Sequence, residues 1–241
     1  MKAFLLAAGL GSRLRPITDH IPKCLVEIGG HPMLDWWAKL LAENGVSEVL
    51  VNTHYLHRQV HDYIVKFNQR KTGLIFHEFY EEELLGSGGT VRENRDFIEG
   101  EQDFLICYAD NLCNVNLRNM TAFHREHKGV LTMALFRTDI PGQCGIVRID
   151  ESGRITEFEE KPKFPKSNLA NAGIYVADRK LFTYIPEEGT VDFGKDVLPK
   201  LTGQMYGWEI SGCLIDIGTM GNYMKAKEEW NYDYNKDSLT R

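Results

Sequence analysis

Short apolar runs alternate with helix-like stretches through the first 136 residues of this 241-residue chain. The runs FLLAA, EVLVN, DFLICY and VLTMALF each have the length of a buried strand. Parallel strands are joined by long crossovers that are usually helices, so the alternation predicts a mostly parallel central sheet with helices on both faces. The predicted fold class is therefore α/β, with three layers in the order α/β/α.

Apolar periodicity places the elements of this first half. Strands are expected at Lys2–Ala7, Glu48–Asn52, Leu74–Phe79, Asp103–Tyr108 and Val130–Phe136, and helices at Met33–Asn44, Gln59–Asn68, Gly88–Phe97 and Leu117–His127.

The second half has shorter strands and shorter connections. Strands are expected at Gly145–Ile149, Ile155–Glu159 and Ala172–Val176, helices at Asp178–Tyr184, Phe193–Leu201 and Thr219–Trp230, and a hairpin from Met205–Ile210 and Cys213–Ile217. The segment Asp150–Gly153 predicts a turn between the first two strands. No linker or repeat interrupts the pattern, so we expect a single domain over residues 1–230 and a polar tail over 231–241.

Charge and cysteine usage exclude several classes of protein. The formal net charge is −6, whereas broad electrostatic binding of nucleic acid needs a positively charged surface. The five cysteines form no C-x-x-C pair, which favours a reducing compartment. The apolar run FLLAAG is too short to span a bilayer and is interpreted as a strand rather than a signal peptide. We expect a cytoplasmic protein that binds neither nucleic acid nor membrane.

The strongest local signal is the glycine-rich stretch LAAGLGSRLRPITDHIPK. Its glycines allow close backbone approach and positive φ, and successive amide groups in such a turn form a nest for an anion. Arg13 can grip phosphate oxygens with two hydrogen bonds, and Lys23 adds a compact positive charge. The residues predicted here to bind a nucleotide are Leu6, Ala8, Gly9, Gly11, Ser12, Arg13 and Lys23.

Other glycine motifs fit this stretch poorly. Leu14 stands where G-x-G-x-x-G needs its third glycine, and the Walker A pattern is absent. The structural alternative is a tight strand-to-helix turn with basic side chains in solvent.

Two carboxylates follow apolar runs, where an open α/β sheet places its ligand-binding groups. Asp110 comes after FLICYA, and Asp216 comes after CLI. Magnesium in phosphate-transfer sites is held by one or two carboxylates together with substrate phosphates, so the pair predicts a Mg²⁺ site. A turn residue and a helix cap are the respective alternatives.

Three further segments carry candidate binding groups. LLGSGGT opens a helix, where Gly88 and Gly89 suit a polar ligand; the alternative is an ordinary helix entry capped by Ser87. In FEEKP, Lys161 can hold a phosphate and Glu160 can accept hydrogen bonds from hydroxyl groups; a solvated strand end is the alternative. The other candidates for hydroxyl recognition are Gly145, Asn171 and Gly173.

Taken together, these segments resemble the sugar-1-phosphate nucleotidyltransferases. GLGSRLRPITDHIPK is similar to that family's signature, G-x-G-x-R-x-x-P-x-T followed by P-K, and the similarity continues through LLGSGGTV, YADN, FEEKP, NAGIY and IDIGT. The resemblance covers nearly the whole chain and implies a Rossmann-like nucleotide-binding fold. One departure is Ala109, where the family usually has glycine.

The resemblance implies a role for each candidate residue. It implies Mg²⁺ on Asp110 and Asp216, with Asp110 also at the nucleotide. It implies a nucleobase site at Ala8, Gly9, Gly88 and Gly89, and a sugar-phosphate site at Gly145, Glu160, Lys161, Asn171 and Gly173, within about 140–217. The residues implied in catalysis are Arg13, Lys23, Asp110 and Lys161.

The implied reaction is attack by a sugar 1-phosphate oxygen on the α-phosphorus of a nucleoside triphosphate, with release of pyrophosphate. A phosphate monoester is already largely dianionic at neutral pH, so alignment and charge neutralisation are expected to carry catalysis. The pattern is most similar to heptose- and mannose-1-phosphate guanylyltransferases, so GTP is the expected nucleotide. N-acetylmuramate-1-phosphate uridylyltransferases are almost as similar.

Several alternatives stay open. The chain could transfer a uridylyl, thymidylyl or cytidylyl group to another sugar 1-phosphate or to phosphocholine, although FEEKP and NAGIY favour a sugar. It could also be a regulatory subunit that binds sugar nucleotides without catalysis. A homodimer is a further possibility, with the helix at Tyr223–Trp230 as a candidate surface.

Overall fold

The computed structural model describes residues 1–230, and the predicted polar tail at 231–241 lies outside the described residues. The strands are β1 (Lys2–Leu6), β2 (Glu27–Ile28), β3 (His31–Pro32), β4 (Glu48–Thr53), β5 (Ile75–Tyr80), β6 (Asp103–Tyr108), β7 (Asn111–Cys113), β8 (Leu131–Arg137), β9 (Gly145–Ile149), β10 (Ile155–Glu160), β11 (Leu169–Asp178), β12 (Met205–Glu209) and β13 (Leu214–Asp216). The α-helices are α1 (Met33–Glu43), α2 (His57–Gln69), α3 (Gly86–Glu93), α4 (Leu117–His127) and α5 (Met220–Glu229).

Tight helical turns supplement these elements. They are 3₁₀ turns at Ser12–Leu14, Ile17–Asp19, Lys23–Leu25, Arg95–Ile98, Pro141–Gln143, Arg179–Tyr184 and Leu198–Leu201, and a π-helix at Phe193–Val197. Within the described residues 1–230, no helix combines the length and the apolar character that a bilayer crossing requires.

The chain divides into two compact units. Unit 1 comprises Met1–Leu84, Tyr108–Val115 and residues 212–230, whereas unit 2 comprises Leu85–Cys107 and Asn116–Ser211. The prediction of a single domain over residues 1–230 stays a prediction.

Unit 1 contains a parallel sheet in which β4 lies between β1 and β5. Leu6 is opposite Asn52 and Asn52 is opposite Phe79, so the three strands end at one edge. Helix α2 covers β5, with the rings of Phe67 and Phe76 centred 4.7 Å apart. The glycine-rich stretch leaves β1 at this carboxyl edge, which is where open parallel sheets bind ligands.

A second core of unit 1 joins the glycine-rich stretch to its surroundings. It connects the 3₁₀ turns after β1 with α1, β7, β13 and α5. Its buried members are Leu14, Val26, Ile28, Met33, Trp36, Leu112, Ile215, Ile217 and Ala226. Each large apolar side chain buried here contributes about 1.5–3 kcal/mol, so this core fixes the segments that carry the predicted cations and carboxylates.

Unit 2 is built around β11, which pairs antiparallel with β6, β8 and β9. β9 pairs antiparallel with β10, and β8 pairs parallel with β12. Gly153, at φ +80°, closes the turn between β9 and β10, where its amide donates to the Asp150 carbonyl at 3.0 Å.

The predicted α/β class is confirmed, with parallel strands and intervening helices in unit 1. The strand pairings of the molecule are mixed, because those of unit 2 are mostly antiparallel. The predicted hairpin is wrong: β12 pairs with β8, and β13 pairs with β7. The helix expected at Phe193–Leu201 is a π-helix followed by a 3₁₀ turn, and the one expected at Asp178–Tyr184 is 3₁₀.

Candidate active site

The glycine-rich loop of unit 1 is fixed at its far end by Thr18. Gly11 adopts φ +63°, and its carbonyl accepts hydrogen bonds from the Leu14 amide at 2.9 Å and the Thr18 hydroxyl at 2.8 Å. A β-carbon on Gly11 would lie 2.9 Å from Thr18 Cγ2. Both the backbone conformation and the contact with Thr18 therefore require glycine here.

Gly9 differs from Gly11. A β-carbon on Gly9 would meet no heavy atom within 4 Å, and its φ lies outside the left-handed region. Folding therefore does not explain this glycine, whereas close approach of a ligand to the backbone does. Its neighbours Leu6 and Ala8 are buried, and Ser12 is exposed.

Lys23 lies between the two predicted metal ligands in unit 1. Its Nζ donates to Asp110 Oδ2 at 2.6 Å and lies 3.9 Å from Asp216 Oδ1. The lysine side chain is 12% exposed, whereas those of Asp110 and Asp216 are 33% and 47% exposed. Three side chains that are far apart in sequence therefore form one charged cluster.

The backbone around the cluster is held by strand pairing. β7 and β13 align Asn111 with Asp216, and the Ile217 amide donates to the Asp110 carbonyl at 3.0 Å. Ala109, the departure from the family pattern, is 3% exposed, and its carbonyl accepts from Trp37 Nε1 at 3.2 Å. The methyl group of Ala109 is therefore accommodated while the backbone hydrogen bond to Trp37 is kept.

Arg13 and Asp216 approach each other across Gly218. The Gly218 amide donates to Asp216 Oδ1 at 2.7 Å. A β-carbon on Gly218 would lie 2.7 Å from that oxygen and 3.1 Å from Arg13 Nη2. Any larger residue at this position would displace the carboxylate or the guanidinium.

Electrostatics distinguish Asp216 from its partner. Partial burial, and then the charge of Asp110, raise the pKa of the Asp216 carboxyl above its ordinary value of 3.8. Lys23, the Gly218 amide and Arg13 oppose that rise. An acid whose pKa is raised by a neighbouring acid favours an added cation.

The donor set fits a magnesium ion that carries substrate phosphates. No three His, Cys, Asp or Glu side chains converge on a metal position within residues 1–230. The two carboxylates of Asp110 and Asp216 are nevertheless enough, because Mg²⁺ takes its remaining ligands from phosphate oxygens and water. Asp110 and Asp216 are the residues that would hold it.

In unit 2, two of the residues predicted to bind the sugar phosphate, Gly145 and Lys161, lie beside a third, Glu160. Its Oε2 lies beside two glycines, 2.8 Å from the position of a β-carbon on Gly145 and 3.1 Å from one on Gly194. Lys161 adopts φ +50°, its amide donates to the Cys144 carbonyl at 3.0 Å, and its Nζ lies 3.6 Å from Glu160 Oε1.

Asn171 and Gly173 form an irregularity in β11. Asn171 donates to the Tyr175 hydroxyl at 2.7 Å and accepts from the Gly173 amide at 2.9 Å. Gly173 has φ +68°, and the register of β11 against β8 shifts here. Such bulges re-aim side chains next to functional sites.

The glycines that open α3 are already engaged within unit 2. The amides of Gly88 and Gly89 donate to the Val191 carbonyl at 2.8 and 3.2 Å. A β-carbon on Gly88 would lie 2.7 Å from Val191 Cγ1. Ser87 does not cap the helix, since its hydroxyl accepts from the Phe193 amide at 2.8 Å. Both glycines are buried, and packing against Val191 accounts for Gly88 without a ligand.

Sequence reasoning assigned no binding role to three residues of these arrangements, although Thr18 is part of the motif that predicts phosphate binding. Thr18 and Gly218 lie inside the motifs PITDHIPK and IDIGT, so their positions carried a signal. Gly194 carried none, because its neighbour Glu160 is 34 positions away in the chain and only the fold brings them together.

Comparisons with known proteins agree with these observations. A family model described as nucleotidyl transferase matches residues 2–231. The chain is 30% identical over 228 residues to the mannose-1-phosphate guanylyltransferase catalytic subunit beta of Danio rerio, covering 93% of this chain and 63% of that protein. It is 30% identical over 243 residues to the UTP–glucose-1-phosphate uridylyltransferase of Synechocystis, covering 94% and 62%.

Solved structures extend the similarity to the fold. The structure of HddC from Yersinia pseudotuberculosis complexed with GMP-PN has a TM-score of 0.80 and 26% identity, covering 95% of this chain and 99% of that one. By contrast, the chain spans less than two thirds of the length of the two relatives from Danio and Synechocystis.

Proposed function

Because the chain belongs to the nucleotidyl transferase family, we propose that it transfers a nucleotidyl group from a nucleoside triphosphate to a sugar 1-phosphate and releases pyrophosphate. The observation that carries this proposal is the cluster of Lys23, Asp110 and Asp216 at the edge where the glycine-rich loop leaves β1. It combines a phosphate-binding backbone with the carboxylates and the cation that a triphosphate needs.

The residues of unit 1 bind and orient the triphosphate. The open side of Gly9 lets phosphate oxygens reach the backbone, and Arg13 offers paired N–H donors to them. Lys23 neutralises the negative charge that grows on the departing pyrophosphate. Asp110 and Asp216 would hold Mg²⁺, which would supply charge neutralisation and Lewis acidity.

The residues of unit 2 bind the acceptor. The Lys161 ammonium holds the sugar phosphate, while Glu160 and Asn171 form hydrogen bonds with sugar hydroxyl groups. The attacking phosphate oxygen is already ionised near neutral pH, so no side chain has to remove a proton from it. Transfer is a direct in-line displacement: the bond from the acceptor oxygen to the α-phosphorus forms as the bond to pyrophosphate breaks.

We propose GTP as the nucleotide and mannose or heptose 1-phosphate as the acceptor. The guanylyltransferase from Danio and the GMP-PN complex of HddC support a guanine nucleotide. The uridylyltransferase from Synechocystis, at the same 30% identity, makes UTP with glucose 1-phosphate the second candidate. A cytoplasmic location follows from the soluble substrates of this reaction and belongs to the proposal.

A substrate matrix tests the proposal directly. Four nucleoside triphosphates are each incubated with mannose, heptose, glucose, galactose and N-acetylmuramate 1-phosphates and with phosphocholine in the presence of Mg²⁺, and pyrophosphate release is measured. We expect the highest rate with GTP and mannose or heptose 1-phosphate. Release with UTP and glucose 1-phosphate alone would select the second candidate, and no release with any pair would refute a transferase function.

A further inference from the structure

The peptide bond between Leu6 and Ala7 is held from both sides in unit 1. Its carbonyl accepts from the Ala109 amide at 3.0 Å, and its N–H donates to Asn52 Oδ1 at 2.6 Å. This is the last peptide before the glycine-rich loop, and Ala109 directly precedes Asp110. The direction in which the loop leaves β1 is therefore set by these two hydrogen bonds.

The Asn52 side chain takes the place of one backbone hydrogen bond between the parallel strands β1 and β4. The register of β1 and β4 ends with Leu6 opposite Asn52, so the Ala7 amide lies one position beyond the paired strand. The Asn52 side chain supplies the acceptor that the continuing strand would have supplied. The chain can thus turn away from the sheet at Ala7 without losing a backbone hydrogen bond.

Glu81 determines which way the Asn52 amide points. Asn52 Nδ2 donates to Glu81 Oε1 at 2.7 Å, and the two residues are 4% and 3% exposed. The Glu81 oxygen accepts from the NH₂ group of Asn52, which leaves Asn52 Oδ1 for Ala7. Glu81 is itself held by backbone bonds: its amide donates to the Thr53 carbonyl at 2.8 Å, and its carbonyl is 2.8 Å from His54 Nδ1.

We propose that Asn52 and Glu81 are positioning residues for the triphosphate loop. Glu81 orients Asn52, Asn52 orients Ala7, and Ala7 sets where the backbone of Gly9 and the side chain of Arg13 meet the phosphates. The proposal rests on the function proposed above for that loop. Neither residue has to touch the substrate, since both act through the Leu6–Ala7 peptide.

Hydrogen exchange of the ligand-free protein tests the pair independently of any activity. Asn52→Leu keeps the approximate size of the side chain and removes the acceptor for Ala7. We expect the amides of residues 7–11 to exchange about tenfold faster, as the loss of one hydrogen bond predicts. The double variant Asn52→Asp with Glu81→Gln reverses donor and acceptor between the two side chains and returns an acceptor to Ala7, so it should exchange within about twofold of the original protein.

A matched control comes from Asn68, which also lies in unit 1. Its side chain likewise accepts from a backbone amide, that of Phe76 at 3.0 Å, and donates to the Phe76 carbonyl at 2.8 Å. Asn68→Leu should accelerate exchange around Phe76 and leave residues 7–11 unchanged. If Asn52→Leu does not fold, Glu81→Gln alone replaces it, because the glutamine amide no longer fixes the orientation of Asn52.

Kinetics separate positioning from a general structural role. For Asn52→Leu we expect the KM for the triphosphate to rise about tenfold while the KM for the sugar 1-phosphate stays unchanged. A merely structural role would lower the amount of active enzyme and leave both KM values unchanged. Unchanged exchange at residues 7–11, or failure of the double variant to restore it, would overturn the pairing of Asn52 with Glu81. If the original protein releases no pyrophosphate with any substrate, the proposed function fails, and the exchange data still decide the role of the pair.

Discussion

Gly9 and Gly11 lie two residues apart and have different physical reasons to be glycine. Gly11 is required by its φ of +63° and by the 2.9 Å contact that a β-carbon would make with Thr18. Gly9 has neither constraint, because a β-carbon there meets no heavy atom within 4 Å. The same substitution at the two positions therefore separates an effect on folding from an effect on ligand binding.

Gly9→Ala should leave stability nearly unchanged and weaken triphosphate binding about tenfold or more, because the methyl group occupies the path of the phosphates. Gly11→Ala should lower the free energy of unfolding by about 1–3 kcal/mol, because it forces a left-handed backbone and a clash. Urea denaturation and nucleotide titration measure the two effects. Equal losses of stability in the two variants would contradict this assignment.

The carboxylate of Asp216 is expected to lower the stability of the ligand-free fold while serving the proposed function. Its pKa is raised by partial burial and then by Asp110, so the folded state holds the proton more tightly than the unfolded state. Stability is therefore lost as pH rises from about 3.8 through the raised folded pKa, and at neutral pH the ionised carboxylate destabilises the ligand-free fold. The side chain is 47% exposed, so solvent screening reduces the effect.

Asp216→Asn should consequently raise the Tm of the ligand-free protein slightly at neutral pH, by about 1 °C, while lowering kcat about 10²- to 10³-fold. Thermal unfolding at neutral pH and pyrophosphate release provide the two measurements. Asp62→Asn, at an exposed position of α2, is the control and should change neither. A fall in Tm on Asp216→Asn would show that its charge is stabilising.

At the scale of elements, helix α3 is joined to the loop before the π-helix by a buried arginine. Arg92 is 8% exposed and donates to the carbonyls of Pro186 at 2.8 Å and Gly189 at 3.1 Å. The same loop carries Val191, whose carbonyl accepts from the first amides of α3. Arg95 reaches the loop only through an exposed ion pair with Glu187 at 3.3 Å.

Arg92→Met should therefore lower the free energy of unfolding by about 2–3 kcal/mol, since charged hydrogen bonds to carbonyls are lost. Arg95→Met, one turn later, should lower it by less than about 1 kcal/mol, as is usual for an exposed ion pair. Urea denaturation of the two variants gives the comparison. Equal effects would mean that burial of Arg92 does not strengthen its bonds.

Helix α4 carries a buried histidine that makes stability depend on pH. His124 is 3% exposed, and its Nδ1 lies 2.9 Å from Thr132 Oγ1. Burial lowers its pKa below the ordinary 6.5, with Asp103 and Asp178 opposing and Arg125 adding to the fall. The unfolded state therefore takes up the proton first as pH falls, so stability is lost below about pH 6.5 and down through the depressed folded pKa.

His124→Asn should flatten the fall in the free energy of unfolding between about pH 7 and pH 5, because the group that titrates differently in the two states is gone. Urea denaturation across that range measures the slope. A slope that survives His124→Asn would assign the pH dependence to other groups.

The sequence predicted those elements whose evidence is local. Asp103–Tyr108, Leu117–His127 and Gly145–Ile149 were placed to the residue because their apolar periods are clear. The hairpin near Ser211 was wrong because strand pairing depends on partners that are distant in the chain: Met205–Glu209 pairs with Leu131–Arg137. No local pattern around Ser211 and Gly212 carries that information.

The same limit applies to the candidate site. Lys23, Asp110 and Asp216 could be proposed from motifs, and the fold brings them together. The orientation of Asn52 by Glu81 could not be proposed, because neither residue belongs to a motif and only the paired strands make them neighbours. Supporting residues inside a motif, such as Thr18 and Gly218, carry a signal in the sequence, whereas supporting residues outside one do not.

For the whole molecule, ligand binding should appear as added stability. A triphosphate with Mg²⁺ at about 100 times its Kd should stabilise the fold by about 2.7 kcal/mol, or raise Tm by about 5–10 °C. Asp110→Ala should lose most of that gain and lower turnover about 10²- to 10³-fold. Thermal unfolding with and without a chelator measures the gain in stability, and Asp62→Ala is the control. A full gain in Asp110→Ala would remove that residue from the metal site.

Lys23 provides the two acids with a built-in counter-ion. Its ammonium group is 2.6 Å from Asp110, so in the proposed function a divalent ion would have to displace a charge that is already in place. That exchange would weaken the attraction for free magnesium and favour magnesium that arrives attached to a triphosphate, whose phosphates could accept the released ammonium. The Lys23 side chain would thereby couple the loading of metal to the loading of nucleotide.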